Sequence, residues 1–167
     1  MLACAIMNID CVYIQTISIA IGSGLQLISV IILMASLVYV VRQIHEMRLA
    51  TYASAYKAAF EILQTEDVRA ARRYVFTKLG QKAFNKWNKK DIVEAEKVCQ
   101  SYDAVGQMAR SGMLPVKYIV DNWRAGLSKS WPILSPLVNS YRVERNSPDE
   151  WDDYEYLAKE ARYDKKK

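Results

Sequence analysis

Residues 12–41 read VYIQTISIAIGSGLQLISVIILMASLVYVV, and this stretch decides how the chain is built. It contains no Asp, Glu, Lys, Arg or His, and the charged residues that flank it are Asp10 and Arg42. A bilayer core of about 30 Å needs roughly 20 apolar residues in a helix. Only a helix satisfies all of its own backbone polar groups within lipid. The stretch therefore predicts one transmembrane helix over residues 12–41.

The charged residues around this span predict its orientation. Every Lys and Arg lies after it, beginning with Arg42 and Arg48. By the positive-inside rule, residues 1–11 form a short extracytoplasmic segment and the larger part of the chain is cytoplasmic. The apolar run is too long for a signal-peptide core of about 7–15 residues, and no basic region precedes it. We interpret it as an uncleaved anchor.

Small and polar residues form a stripe along one face of the predicted span. They recur at alternating spacings of three and four residues: Gln15, Ser18, Gly22, Leu25, Ser29, Ile32 and Ser36. Small residues let two transmembrane helices approach closely, and Ser or Gln can hydrogen-bond across them at about 0.5–2 kcal/mol each. The stripe predicts a packing face against another subunit or a second copy of this chain. The alternative is that its hydroxyls simply bond back to their own helix.

The remaining residues predict an all-α fold. Residues 42–64 contain no helix breaker and continue the span as a helical stalk. Apolar residues then recur at helical spacings through residues 65–167, without an alternating strand pattern, which predicts a cytoplasmic bundle of five or six helices. Trp131-Pro132 predicts a break between two of these helices. A capping box over residues 147–150 predicts the start of the last one.

The most basic part of the chain is the segment 69–90, here called the basic segment. Its eight cations have no acid between them and are interleaved with Phe84 and Trp87. They are Arg69, Arg72, Arg73, Lys78, Lys82, Lys86, Lys89 and Lys90. Near a membrane, such cations attract anionic headgroups by about 1 kcal/mol each. The other interpretations are a nucleic-acid surface and a solvated face that balances the acids near the C-terminus.

The residue inventory argues against an enzyme. His45 is the single histidine, and the three cysteines, Cys4, Cys11 and Cys99, form no CxxC pair. Sites that need two histidines or four cysteines are therefore excluded. The chain contains no Walker A loop and no GxGxxG, and the S-x-x-K match over residues 54–57 lacks the S-D-N and K-T-G elements of its families. We expect no catalytic residue, no metal and no cofactor.

The stretch from Val98 to Ala161 resembles a known family. It reads VCQSYDAVGQMARSGMLP, then VDNWRAGLSKSWPILSPLV and, after an arginine, SPDEWDDYEYLAKEA. The pattern Tyr102-Asp103-x-x-Gly106 and the pair Trp123 and Trp131 are its most specific features. With one span ahead of it, this stretch is similar to the small bacterial membrane proteins of domain-of-unknown-function family 4760. The resemblance implies a cytoplasmic helical domain behind one anchor in a bacterial inner membrane, and it implies no catalytic residue.

Together these features predict a non-enzymatic, single-pass accessory or scaffold subunit. Its span packs on a larger integral membrane complex, of energy transduction or transport, or on a second copy of the chain. Its helical domain covers the cytoplasmic face of that complex. The alternative is a free-standing membrane-anchored module that binds anionic lipid headgroups or nucleic acid through the basic segment. Membrane lipid is a partner under either hypothesis.

Overall fold

The computed structural model describes the backbone of residues 2–163 and the side chains of residues 26 and 28–162. Within these limits the chain contains five α-helices, two short 3-10 turns and no strand, so the predicted all-α fold is confirmed. The helices are α1 (Leu2–Gln64), α2 (Glu66–Thr77), α3 (Lys89–Arg110), α4 (Val116–Glu144) and α5 (Asp152–Tyr163). The 3-10 turns are Leu79–Gln81 and Phe84–Lys86. The chain divides into two compact units, Met1–Arg48 and Leu49–Lys167.

The first unit is helical and carries an exposed apolar surface. All described side chains from Ile28 to Arg48 are exposed, and Leu33 and Val38 show 68% and 67% of their surface. One helical stretch among the described residues, Ile28–Gln64, is long and apolar enough to cross a membrane. Water disfavours a continuous apolar surface of this kind, whereas lipid tails accept it.

The second unit is a bundle in which the last turns of α1 and the four later helices share one hydrophobic core. Each helix contributes a fully buried side chain: Leu63 from α1, Val75 from α2, Val98 from α3, Leu134 from α4 and Leu157 from α5. The end of the predicted stalk therefore belongs to the bundle core. Removal of these apolar side chains from water, at about 1.5–3 kcal/mol each, is the main force that holds the helices together.

Helix α4 continues through two prolines, so the predicted break at Trp131-Pro132 is wrong. Pro132 and Pro136 lie inside the helix, which ends only at Glu144. Each proline lacks an N–H, and the carbonyl four residues earlier loses its helical donor at a cost of about 3 kcal/mol. Leu127 before the prolines and Leu137 after them are both buried. The apolar contacts of both halves offset the lost hydrogen bonds and keep the helix in one piece.

The last helix begins later than the predicted capping box. Helix α5 starts at Asp152, and the residues before it form turns, in which the N–H of Glu150 donates to the carbonyl of Ser147 at 3.2 Å. Trp151 has a φ of 53°, a left-handed conformation that is strained for residues other than glycine. Its buried ring stacks on Tyr141 with a centroid distance of 5.3 Å. This stacking, absent from the capping-box pattern, sets where α5 starts.

The pattern Tyr102-Asp103-x-x-Gly106 docks the start of α5 on α3. The ring of Tyr102 stacks on that of Tyr154, with centroids 5.2 Å apart. Oδ1 of Asp103 accepts a hydrogen bond from the backbone N–H of Tyr154 at 3.1 Å, which satisfies an otherwise unpaired donor in the first turn of α5. A Cβ on Gly106 would lie 2.4 Å from the carbonyl oxygen of Asp153. The pattern is therefore a helix-packing motif.

We expect Asp103→Asn to be at least as stable as the wild type at neutral pH. Burial, the largest effect, raises the pKa of Asp103, and the N–H of Tyr154 lowers it in part. Because the folded pKa is raised, ionisation of Asp103 reduces the stability of the fold as the pH rises above the ordinary value of 3.8. Asparagine keeps the acceptor oxygen and removes the charge.

The measurement is urea unfolding of the full chain in mild detergent, at pH 7 and at about pH 3. Trp87 is the first of the four tryptophans, so their fluorescence follows the second unit alone. Asp103→Ala is the matched control, since it also removes the acceptor and should cost about 1 kcal/mol at pH 7. An Asp103→Asn variant as unstable as Asp103→Ala would contradict this account.

Candidate functional site

The predicted packing face of the span is partly described by the structure. Four of its members lie outside the described side chains: Gln15, Ser18, Gly22 and Leu25. The other three, Ser29, Ile32 and Ser36, lie on the exposed surface of α1. The hydroxyl of Ser36 donates to the carbonyl of Ile32 at 2.8 Å. Ser36 thus bonds back to its own helix, and it can contribute to a packed interface mainly through its small size.

The basic segment folds as most of α2, the two 3-10 turns and the start of α3. Six of its eight predicted cations are exposed and form no ion pair with any acid that the structure describes. They are Arg69, Arg73, Lys78, Lys86, Lys89 and Lys90. The other two are turned into the fold: Arg72 is half-buried, and Lys82 forms an ion pair with Asp91. The surface available to an anionic ligand is therefore smaller than the sequence indicates.

A buried carboxylate, that of Asp91, holds the basic segment together. Its side chain is only 2% exposed and accepts hydrogen bonds from three donors. The Tyr74 hydroxyl donates at 2.7 Å, the backbone N–H of Asn88 donates at 2.8 Å, and the third donor is the Lys82 ammonium group. Asn88 accepts from the N–H of Asp91 in return, at 3.0 Å, and this capping box starts α3. Sequence reasoning missed this role, although the spacing Asn88-x-x-Asp91 signals it.

We expect acid to weaken the bundle through Asp91. The hydrogen bond from Lys82, followed by those from Asn88 and Tyr74, lowers the pKa of Asp91 to about 2. Since this value is below the ordinary 3.8, the carboxylate stabilises the fold above that pH, and its contribution is lost as the pH falls from 3.8 towards 2. Asp91→Asn should therefore lower the melting temperature at pH 7. It should also make the melting temperature depend less on pH between 3.8 and about 2.

This prediction is checked by thermal unfolding of the full chain in detergent, followed by tryptophan fluorescence between about pH 2 and pH 7. Asp149→Asn makes the same chemical change at an exposed position and should leave the melting temperature at pH 7 unchanged. If the melting temperature of Asp91→Asn fell with acid as much as that of the wild type, the network around Asp91 would not stabilise the fold.

The one cysteine whose side chain the structure describes, Cys99, takes a structural position. Cys99 is fully buried in α3, and burial raises the pKa of its thiol, which disfavours the nucleophilic thiolate. His45 is exposed on α1, while Cys4 and Cys11 lie outside the described side chains. Among the described residues, no group of three or more His, Cys, Asp or Glu side chains is placed to hold a metal ion.

The fold and these features define a class: an all-α protein in which one helix of the described part is long and apolar enough to cross a membrane, followed by a bundle that contains the Tyr102-Asp103-x-x-Gly106 docking motif. The chain belongs to the family described as domain of unknown function (DUF4760), which matches residues 17–161. The resemblance predicted from the sequence is confirmed. Comparisons with curated proteins and with solved structures find no match.

Proposed function

We propose that the chain is a non-enzymatic, single-pass accessory or scaffold subunit of a bacterial inner-membrane complex. Its span packs on a larger integral membrane assembly, of energy transduction or transport, and its bundle covers the cytoplasmic face of that assembly. The observation that carries the proposal is the exposed apolar surface of α1 from Ile28 to Val41, which is suited to lipid and to another transmembrane helix.

The polar chemistry of the bundle supports a scaffold, because its buried and half-buried charged groups hold helix ends in place. Asp91 caps α3, and Asp103 caps α5. Arg142 of α4 donates from Nε to the carbonyl of Glu150 at 2.9 Å and from Nη1 to the carboxylate of Glu155 at 2.8 Å. Each of these groups stabilises the relative placement of two elements, as a rigid binding surface requires.

Gentle solubilisation of native membranes, followed by separation of complexes by size, tests this proposal. The chain should migrate with larger partners, and migration only as a free monomer would refute the accessory role. Ser29→Leu combined with Ser36→Leu places bulk on the predicted packing face and should release the chain from its complex. Ala20→Leu adds one leucine at a position that helical spacing puts about half a turn away from the stripe, and it should leave the complex intact.

A second candidate function is the binding of anionic lipid headgroups by the basic segment. Its six exposed cations form no ion pair with the described acids. Three of them, Lys86, Lys89 and Lys90, flank Trp87 in the chain, and the ring of Trp87 packs on Phe84 at 5.1 Å between centroids. Opposite charges attract such a surface to anionic headgroups within about 10 Å at 0.1 M salt.

The lipid test uses the full chain in nanodiscs that contain brominated phosphatidylglycerol, a quencher of tryptophan fluorescence. Quenching of Trp87, taken as the difference between the wild type and Trp87→Phe, should appear at low salt and disappear at high salt. Brominated phosphatidylcholine is the matched zwitterionic control. Equal quenching by both lipids, or none by either, would exclude specific headgroup binding, and salt-dependent binding of an oligonucleotide alone would favour nucleic acid.

A further inference from the structure

Two open grooves lie along the exposed face of α4. The first, of about 390 Å³, lies between α4 and the part of α1 that belongs to the second unit. The second, of about 770 Å³, lies between α4, the end of α2 and the first 3-10 turn. The exposed residues of α4 that line them recur at spacings of four and three: Tyr118, Asn122, Ala125, Lys129 and Pro132. Because side chains at these spacings share one face of a helix, both grooves open onto the same side of α4.

The walls of the two grooves are mainly apolar and aromatic. Leu49 and Tyr52 of α1 line the first groove together with Tyr118, while Phe76 and Ile133 line the second. Leu49 and Tyr118 show 55% and 51% of their surface. Water disfavours apolar surface that is left exposed in neighbouring grooves, and such surface commonly marks a protein interaction site.

The uncompensated charge at these grooves is positive. No acid is among the described lining residues, and Lys129, which lines the second groove, forms no ion pair with a described acid. Arg73 is also exposed without such a pair, and it lies three residues before Phe76 on the same face of α2. Asp121, beside the first groove in the chain, is paired with Arg124 at 3.4 Å. The charge around the grooves is therefore complementary to an acidic partner.

The length of the groove pair fits a helix. From Tyr118 to Pro132, α4 rises about 21 Å, the length of a helix of about 14 residues. Apolar side chains two to three turns apart on such a helix would reach one groove each. Strand addition, another common way to bind a segment, needs a sheet edge, and residues 2–163 contain no strand.

We propose that the two grooves together bind one acidic amphipathic helix of a partner subunit. Its apolar face lies against Tyr118 and Phe76, and its carboxylates lie towards Arg73 and Lys129. A nucleic-acid backbone would satisfy the cations but would leave the apolar walls in water. This inference rests on the accessory role proposed above, and it names the surface of the bundle that binds the complex.

Photo-crosslinking of the full chain in native membranes tests the proposal. p-Benzoylphenylalanine takes the place of Tyr118, which its first ring resembles, and the crosslinked segments are mapped by mass spectrometry. The captured segment should be acidic and should carry apolar residues at spacings of three and four. Gln100 is the control position, because it is exposed on α3 and lines neither groove. Capture of any other kind of segment, of lipid or nucleic acid alone, or equal yields at both positions would overturn the proposal.

Charge reversal tests whether one helix spans both grooves. Arg73→Glu combined with Lys129→Glu should lower the crosslink yield at position 118 about tenfold, because like charges would then face each other at the second groove. Lys86→Glu combined with Lys89→Glu makes the same change in charge at exposed positions that line neither groove, and it should leave the yield unchanged. A loss in the first double variant no larger than that in the second would overturn the proposal.

A crosslinker in place of Ser36, on the predicted packing face of the span, separates this inference from the accessory role. Crosslinks to another subunit from position 36 but none from position 118 would leave the accessory role in place and overturn the binding of a helix by α4. No crosslink to another protein from either position would overturn both.

Discussion

Replacement of Gly106 by alanine should lower the free energy of unfolding of the bundle by about 3 kcal/mol. The added Cβ would lie 2.4 Å from the carbonyl oxygen of Asp153 and 2.6 Å from its carbonyl carbon. These are backbone atoms of α5 and cannot rotate away as the end of a side chain can. The start of α5 is also held by the hydrogen bond that the backbone N–H of Tyr154 donates to Asp103. Nη1 of Arg110 donates a second bond to Oδ2 of Asp152 at 2.6 Å. Helix α5 must therefore move away as a whole.

Urea unfolding of the full chain in detergent, followed by tryptophan fluorescence, measures this loss. Gly112→Ala is the matched control, because Gly112 has a φ of 77° and open space around it. Alanine there is strained by the left-handed backbone alone, at about 1–2 kcal/mol. The two glycines thus separate steric overlap from backbone strain. A loss at Gly106 no larger than that at Gly112 would show that α5 does not press on α3 as the structure describes.

The helical fold is predictable from the sequence because its signals are local. An uncharged stretch suited to lipid and apolar residues at helical spacing identify the helices without any knowledge of their neighbours. The failures come where tertiary contacts override local rules. Pro132 predicts a break, yet the buried leucines on both sides of it keep α4 continuous. Trp151 stacks on Tyr141, and this contact moves the start of α5 past the capping-box pattern.

The candidate surfaces are predictable only in part, since composition does not show which way a side chain points. In the sequence, Arg72 is indistinguishable from the other seven cations of the basic segment, but its guanidinium group is partly buried near Tyr102. Lys82 likewise belongs to the network of Asp91. Tyr102-Asp103-x-x-Gly106 is recognisable as a pattern, whereas its role depends on a helix that lies 46 residues or more further along the chain, from Asp152 onward. Such roles follow from packing, and no spacing within one helix reveals them.

Gly126→Ala should destabilise the bundle by about 2 kcal/mol, and a second substitution, Tyr102→Phe, should restore most of that loss. A Cβ on Gly126 would come within 2.7 Å of the Tyr102 hydroxyl, while the ring carbon that carries the hydroxyl lies 3.9 Å away, an ordinary contact distance. Removal of the oxygen therefore makes room for the methyl group. Tyr102→Phe alone is the reference for this comparison, because it removes the hydroxyl without adding a Cβ at Gly126.

The four proteins of this double-mutant cycle are compared by urea unfolding of the full chain in detergent. The coupling between the two substitutions should be about 1–2 kcal/mol in favour of the double variant. Gly80→Ala is a useful contrast, because its Cβ would meet the flexible end of Ile133 at 3.3 Å, and Tyr102→Phe should not change its effect. Additive losses at Gly126 and Tyr102 would mean that the hydroxyl is not held against α4.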